Sequence, residues 1–202
     1  MRKYEITNIA HPHYPWLHRI RALRDVREDV RAGDLGGFVE SENNLSQEGS
    51  CWIYGNAIAC ENAHVTEDST LRWNCKVFGS ALISGDACLD RNALVLDKAI
   101  VAAGTITNLA TLQGEARVLP DHKHGSPTIK NDAVIYGTVI GNVEISGFYE
   151  LPPGEEIENR SGERLRIHAD EYTGSLMAPR EPQKPDGFVL PTKQKKRSEM
   201  ER

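Results

Sequence analysis

A six-residue beat runs from about Cys51 to Val118, and it limits the possible folds more than any other feature. An aliphatic residue returns at Ile53, Ala59, Val65, Leu71, Val77, Ile83, Leu89, Val95 and Val101. Two positions before each stands a small residue: Cys51, Ala57, Ala63, Ser69, Cys75, Ala81, Ala87, Ala93 and Ala99. The residue just before the small one is mostly Asn, Asp or Ser, as at Asn56, Asn62, Asp68, Asn74, Ser80, Asp86 and Asn92. One residue is then dropped, and the beat resumes at Ile106, Leu112 and Val118. Self-similarity at a fixed period marks a repeat architecture and precedes every other reading.

The pattern small-x-aliphatic puts two side chains on one face of a short extended segment, because strand side chains alternate. The Gly, Asn or Asp before the next pair supplies backbone freedom for a corner. Three segments and three corners make one turn of about eighteen residues, and successive turns stack at the sheet spacing of ~4.8 Å. Three inward columns follow: Ile53, Leu71, Leu89, Ile106; Ala59, Val77, Val95, Leu112; and Val65, Ile83, Val101, Val118.

These residues resemble the hexapeptide repeat of left-handed parallel β-helices, over about a third of the chain. That handedness runs against the usual crossover rule and comes from the resemblance alone. The fold expected is all-β: a left-handed parallel β-helix with an N-terminal β cap (1–50), a helical body (51–147) of about five to six coils, a C-terminal cover (148–177) and a disordered basic tail (178–202).

Composition fits a solenoid. Only 39% of the 202 residues are hydrophobic and 6% aromatic, lean for a globular core but enough for a thin aliphatic column. The net charge of −5 gives no general case for nucleic acid. No apolar run approaches ~18 residues, so no membrane span is expected. The start, MRKYEITNIAHP, lacks a signal-peptide core, and a cytoplasmic protein is the expectation. The four cysteines show no CxxC spacing, which argues against a disulfide framework and a zinc site. Cys51 and Cys75 fall on inward positions, Cys60 and Cys88 on outward ones.

Residues 1–50 do not follow the beat. Tyr4-Glu5-Ile6 and Leu17 to Leu23 read as short strands, with His11-Pro12-His13-Tyr14-Pro15 as a stiff loop between them. Gly33, Gly36 and Gly37 require positive φ or close backbone approach. The segments Ile20–Asp25, Ala32–Glu40 and Asn44–Ile53 are similar to the opening block of a group of phage, prophage and YdcK-like enterobacterial β-helix proteins that carries an acetyltransferase label. The resemblance implies a phage or bacterial origin and a cap welded to the helix. Pro120 to Thr128 interrupts the stack as an extruded loop, after which the beat returns weakly at Ala133-Val134-Ile135 and Val143-Glu144-Ile145. Leu165-Arg166-Ile167 reads as one last strand over the open end, which a solenoid has to cover. From Ala178 onward stand seven basic and four acidic residues, a net +3 against −8 for the rest.

Hexapeptide β-helices often belong to acyltransferases, and the resemblance implies a histidine base near an extruded loop between subunits of a trimer. Histidine suits that work because its pKa lies near neutrality. The loop carries two, His122 and His124, whose plain alternative is a polar loop. No metal site is expected. His64 should point outward from a coil, and His11 and His13 have structural roles in the cap. Arg19, Arg21 and Arg24, beside Asp25 and Asp34, form a salt-bridge network or, less simply, an anion-binding groove. One face directs Ile58, Phe78, Leu94 and Leu96 outward. Exposed apolar runs mark contact surfaces, and these residues are either covered by the chain's own cap or C-terminal segment or used for self-association, as in a trimer. The leading functional expectation is a non-enzymatic binding or scaffold protein of phage type. It would have no cofactor and would bind itself and a host protein or small anionic ligand. The alternative is an acyltransferase that uses acetyl-CoA and His122 or His124.

Overall fold

The computed structural model describes residues 1–171 and 180–189. Most of the expected basic tail therefore lies outside the described residues. The fold is all-β: a parallel β-solenoid of about seven turns, with sheets of nine, seven and six strands along its sides.

The inward columns stack as the beat requires. Ile53 pairs with Leu71, Leu71 with Leu89 and Leu89 with Ile106. The second column runs Ala59, Val77, Val95, Leu112, and the third Val65, Ile83, Val101, Val118. All twelve side chains are fully buried. Cys51 and Cys75 fill the narrow space beside them, and all four cysteines are free.

The stack is longer than the five to six coils expected. Beyond Val118 the columns continue through Ile129 and Ile145, and through Ile135 and Leu151. The intervals there are irregular, but the pairing holds because corners absorb inserted residues while strands do not. Leu165–Ala169 closes the described stack against Val143–Gly147.

The corners differ from expectation by one residue. Positive φ falls not on the Asn or Asp before the small residue but one position earlier, at Glu61, Glu67, Trp73, Arg91, Asp97, Asn108 and Asn131. Carboxylates there have a use: Glu61 accepts a hydrogen bond from the backbone N–H of Gly79 (3.1 Å), Glu67 from Gly85 (2.6 Å) and Asp97 from Gly114 (3.0 Å). Each corner carboxylate thus satisfies a donor on the next turn.

The cap is an antiparallel sheet of β1 (Tyr4–Ala10), β2 (His18–Ala22) and β3 (Leu35–Val39). β3 then pairs in parallel with Ile58–Ala59, joining the cap to one solenoid face. Close approach explains the glycines in β3. A Cβ on Gly37 would lie 2.4 Å from both the Ala57 carbonyl oxygen and an Ile53 methyl, and one on Gly36 would lie 2.6 Å from Ile20.

Candidate functional site

The apolar face points outward as expected, but it is not open. Ile58, Phe78 and Leu96 are each at most 2% exposed, and Leu94 is half-buried. They pack with Leu17, Phe38 and Cys60, flanked by Tyr14 and Trp16. Two covers do this, the cap loop between β1 and β2 and the segment 180–189, so the stretch of the expected tail from Arg180 to Val189 lies against the solenoid. Arg180 makes a bidentate pair with Glu61, both bonds 2.9 Å, and its guanidinium lies 4.8 Å from the Phe78 ring centre. Glu61 also accepts from the Gln183 backbone N–H (2.8 Å). Glu181 meets the Lys76 ammonium (2.8 Å) and accepts from the Tyr14 hydroxyl (2.5 Å). Pro182 is buried between these clamps. Of the two readings the sequence left open for this face, cover by the chain itself is the one observed.

The loop histidines separate. Asp121 and Gly125 exchange backbone hydrogen bonds and close a tight turn. His124 Nδ1 lies 2.5 Å from Asp121 Oδ2, while His122 is exposed. The imidazole holds the Asp121 carboxyl below the usual carboxylate range. His64 faces outward, its Nδ1 2.5 Å from the Asn43 carbonyl. His11 is structural: its Nδ1 accepts from the backbone N–H groups of His13 (3.1 Å) and Tyr14 (3.2 Å).

The three arginines do not converge. Arg19 donates to the carbonyls of Gly36 (2.9 Å) and Gly55 (3.0 Å) and stacks on Phe38, so it ties the cap to the first coil. Arg21 faces Glu5 at 3.5 Å, and Arg24 donates to the Asp25 carbonyl. An anion-binding groove would need these guanidiniums aimed at one space, and these three are engaged separately by the chain itself.

One corner of the solenoid, leading into the covered face, carries three clefts in series. The first, about 360 Å³, is lined by His13, Tyr14, Asn56, Asn74 and Lys76 among others. The second, about 240 Å³, lies between Trp73, Asn74, Arg91 and Asn92. The third, about 410 Å³, includes Asn108, Leu109, Asn131, Phe148 and His168. Amides form a broken ladder along this edge: Asn74 donates to Asn92 (3.4 Å) and Asn108 to Asn131 (2.7 Å). At its far end His168 stands between Ser146 (Nδ1 to Oγ, 2.9 Å) and Asp170 (Nε2 to Oδ1, 3.0 Å). Sequence reasoning missed this edge. The signal was present in Trp73, a large aromatic at a beat position that elsewhere in the regular stack holds glycine, alanine or a polar residue. Among the described residues, no group of three His, Cys, Asp or Glu side chains is placed to hold a metal ion.

No family model matches the chain. It is similar to a protein of Escherichia coli (strain K12) named "Uncharacterized acetyltransferase YdcK", with 33% identity over 79 residues. The match covers 39% of this chain and 24% of that protein, so it spans about a quarter of the relative's length. The stacked six-residue beat decides the type, and the partial match is consistent with it. The chain is a hexapeptide-repeat β-solenoid. The comparison lends no support to the phage side of the resemblance. No helix among the described residues is long and apolar enough to cross a membrane.

Proposed function

We propose that this solenoid is a rigid binding module whose recognition surface is the amide-lined corner running from Asn56 to Asn131. The observation that carries this is the alignment of three clefts along one edge, while the apolar face is closed by the chain itself. A stack of backbone-paired rungs holds such an edge in fixed geometry, so little ordering cost falls on binding. Self-association, earlier expected at Ile58, Phe78, Leu94 and Leu96, would have to use another surface, such as the half-buried Leu82, Ile100, Leu119 and Ile140 of the opposite face.

A second reading, acetyl transfer, draws on the relative's name and on the Asp121–His124 pair. Asp121 would accept the Nδ1–H hydrogen bond of His124 and hold the tautomer whose unprotonated Nε2 is the general base, the orienting logic of acid-histidine pairs. Acetyl-CoA would be the substrate that supplies the acetyl group.

A mass determination with and without acetyl-CoA, followed by a turnover assay on amine and hydroxyl acceptors, separates the two. The binding module shows neither complex nor turnover. An enzyme shows both, and His124→Ala lowers its rate by about 100-fold or more, while His122→Ala leaves it nearly unchanged.

A further inference from the structure

Trp73 is out of place by every structural rule. It is 65% exposed and sits at φ +60°. Left-handed backbone is unfavourable for any residue with a Cβ and rare for bulky ones. Of the seven non-glycine residues with positive φ among those described, the other six are charged or are asparagines. A large aromatic ring held in water on a strained corner gains little from folding, and such outliers point toward function.

The surroundings define what the ring would meet. Trp73, Asn74, Arg91 and Asn92 line one cleft, and Asn74 also lines the next, with Asn56 and Lys76. Each asparagine amide carries both donors and an acceptor. The Asn74–Asn92 bond uses one of each, so most of that capacity remains on an exposed edge. The nearby cations are engaged by the chain itself: Lys76 meets Glu181 at 2.8 Å, Arg91 faces Asp90 at 3.9 Å and Arg72 lies over the Tyr54 ring. An edge that recognised a polyanion would keep its cations unpaired. What remains is a flat apolar ring beside groups that both give and take hydrogen bonds. That combination fits a ligand with an apolar ring face and hydroxyls around its rim.

We infer that the Trp73 edge binds a neutral linear polysaccharide, one sugar ring stacked on the indole and its hydroxyls bonded by Asn74 and Asn92. Successive rungs rise by ~4.8 Å, so the amides repeat along the solenoid axis and address successive parts of an extended chain. The inference deepens the binding-module reading and rests on it.

The test uses the full chain in native gels cast with hydroxyethylcellulose, galactomannan, soluble starch or no polysaccharide. Tryptophan fluorescence titrations with the corresponding oligosaccharides accompany the gels. Retardation by at least one polymer is expected. Trp73→Asn should weaken it tenfold or more without lowering Tm, because asparagine already occupies the equivalent corners at Asn108 and Asn131. Asn92→Ala should weaken it severalfold. Retardation by none of the polymers, or equal retardation of Trp73→Asn, overturns the inference. Single-stranded oligo(dT) is run in parallel. If it binds in a Trp73-dependent way and no polysaccharide does, the edge remains a recognition surface and only the carbohydrate assignment fails. If Trp73→Asn changes nothing with either probe, the binding-module reading loses its support as well.

Discussion

Single side chains close the N-terminal mouth of the solenoid, and Lys3 does the most. It is fully buried, and its ammonium donates to the carbonyls of Glu48 and Cys51 and to the Cys51 sulfur, each at 3.1 Å. Tyr4 adds a hydroxyl bond to the Leu45 carbonyl (2.7 Å), and burial pushes its phenol up to about 12. Lys3→Ala leaves two carbonyls without their donor, at a cost of ~2 kcal/mol, readable in urea unfolding. Burial also holds the Lys3 pKa below 10.5. The charged form therefore costs stability below the folded pKa, and this penalty fades as pH rises from that value toward 10.5. The Cys51 thiol, pushed up by burial, acts in the opposite sense above pH 9.0. The expected result is that Lys3→Met loses stability relative to wild type as pH climbs into the alkaline range.

At the scale of elements, segment 180–189 behaves as a latch across the covered face. Its clamps are the Arg180–Glu61 and Glu181–Lys76 pairs. Burial pushes the Glu61 carboxyl up, but Arg180 and two backbone donors outweigh this and bring it below 4.5. Lys76 and Tyr14 bring Glu181 down as well. Lowered carboxyl pKa values mean that the latch is intact above pH 4.5 and weakens as pH falls through the folded values. Amide exchange in 180–189 should accelerate over that window. Cys60, fully buried beneath the cover with its thiol pushed up by burial, reports the same event. Arg180→Ala, or truncation after Glu171, is expected to raise its labelling rate at pH 8 by tenfold or more. An unchanged rate would mean that the cap loop alone covers it.

On the scale of the whole molecule, the strands of each turn pair only with the turns on either side, so the stability of the stack is close to a sum of turn and interface terms, to which the cap and segment 180–189 add contacts across several turns. Leu89→Ala opens a cavity in the middle of a column bounded by Leu71 and Ile106. It should cost about 3 kcal/mol and split thermal unfolding into two steps if the halves then melt separately. Deleting residues 1–50 removes β1 to β3 and bares the strand edge at Ile58–Ala59 together with the apolar face. Open edges template association. The deletion is expected to elute as aggregate in size-exclusion chromatography.

The sequence determined the repeat, its three inward columns and the outward direction of Ile58, Phe78, Leu94 and Leu96. Strand alternation and a fixed period leave no second arrangement that buries the same aliphatic residues. It also made the first two cap strands and a final strand around Leu165–Ile167 legible, through local alternation and turn residues, but not β3, whose glycines read only as sites of positive φ or close backbone approach. Three things were decided only in three dimensions. Segment 180–189 folds back onto Glu61 and Lys76, a contact between residues more than a hundred positions apart that no local pattern encodes. His122 and His124 separate because a tight turn, and not a strand, carries them. The row of asparagines around Trp73 becomes one surface only when successive turns stack. Periodicity fixes which side chains face inward. Which outward side chains meet depends on corner lengths and on distant segments, and those are settled by packing.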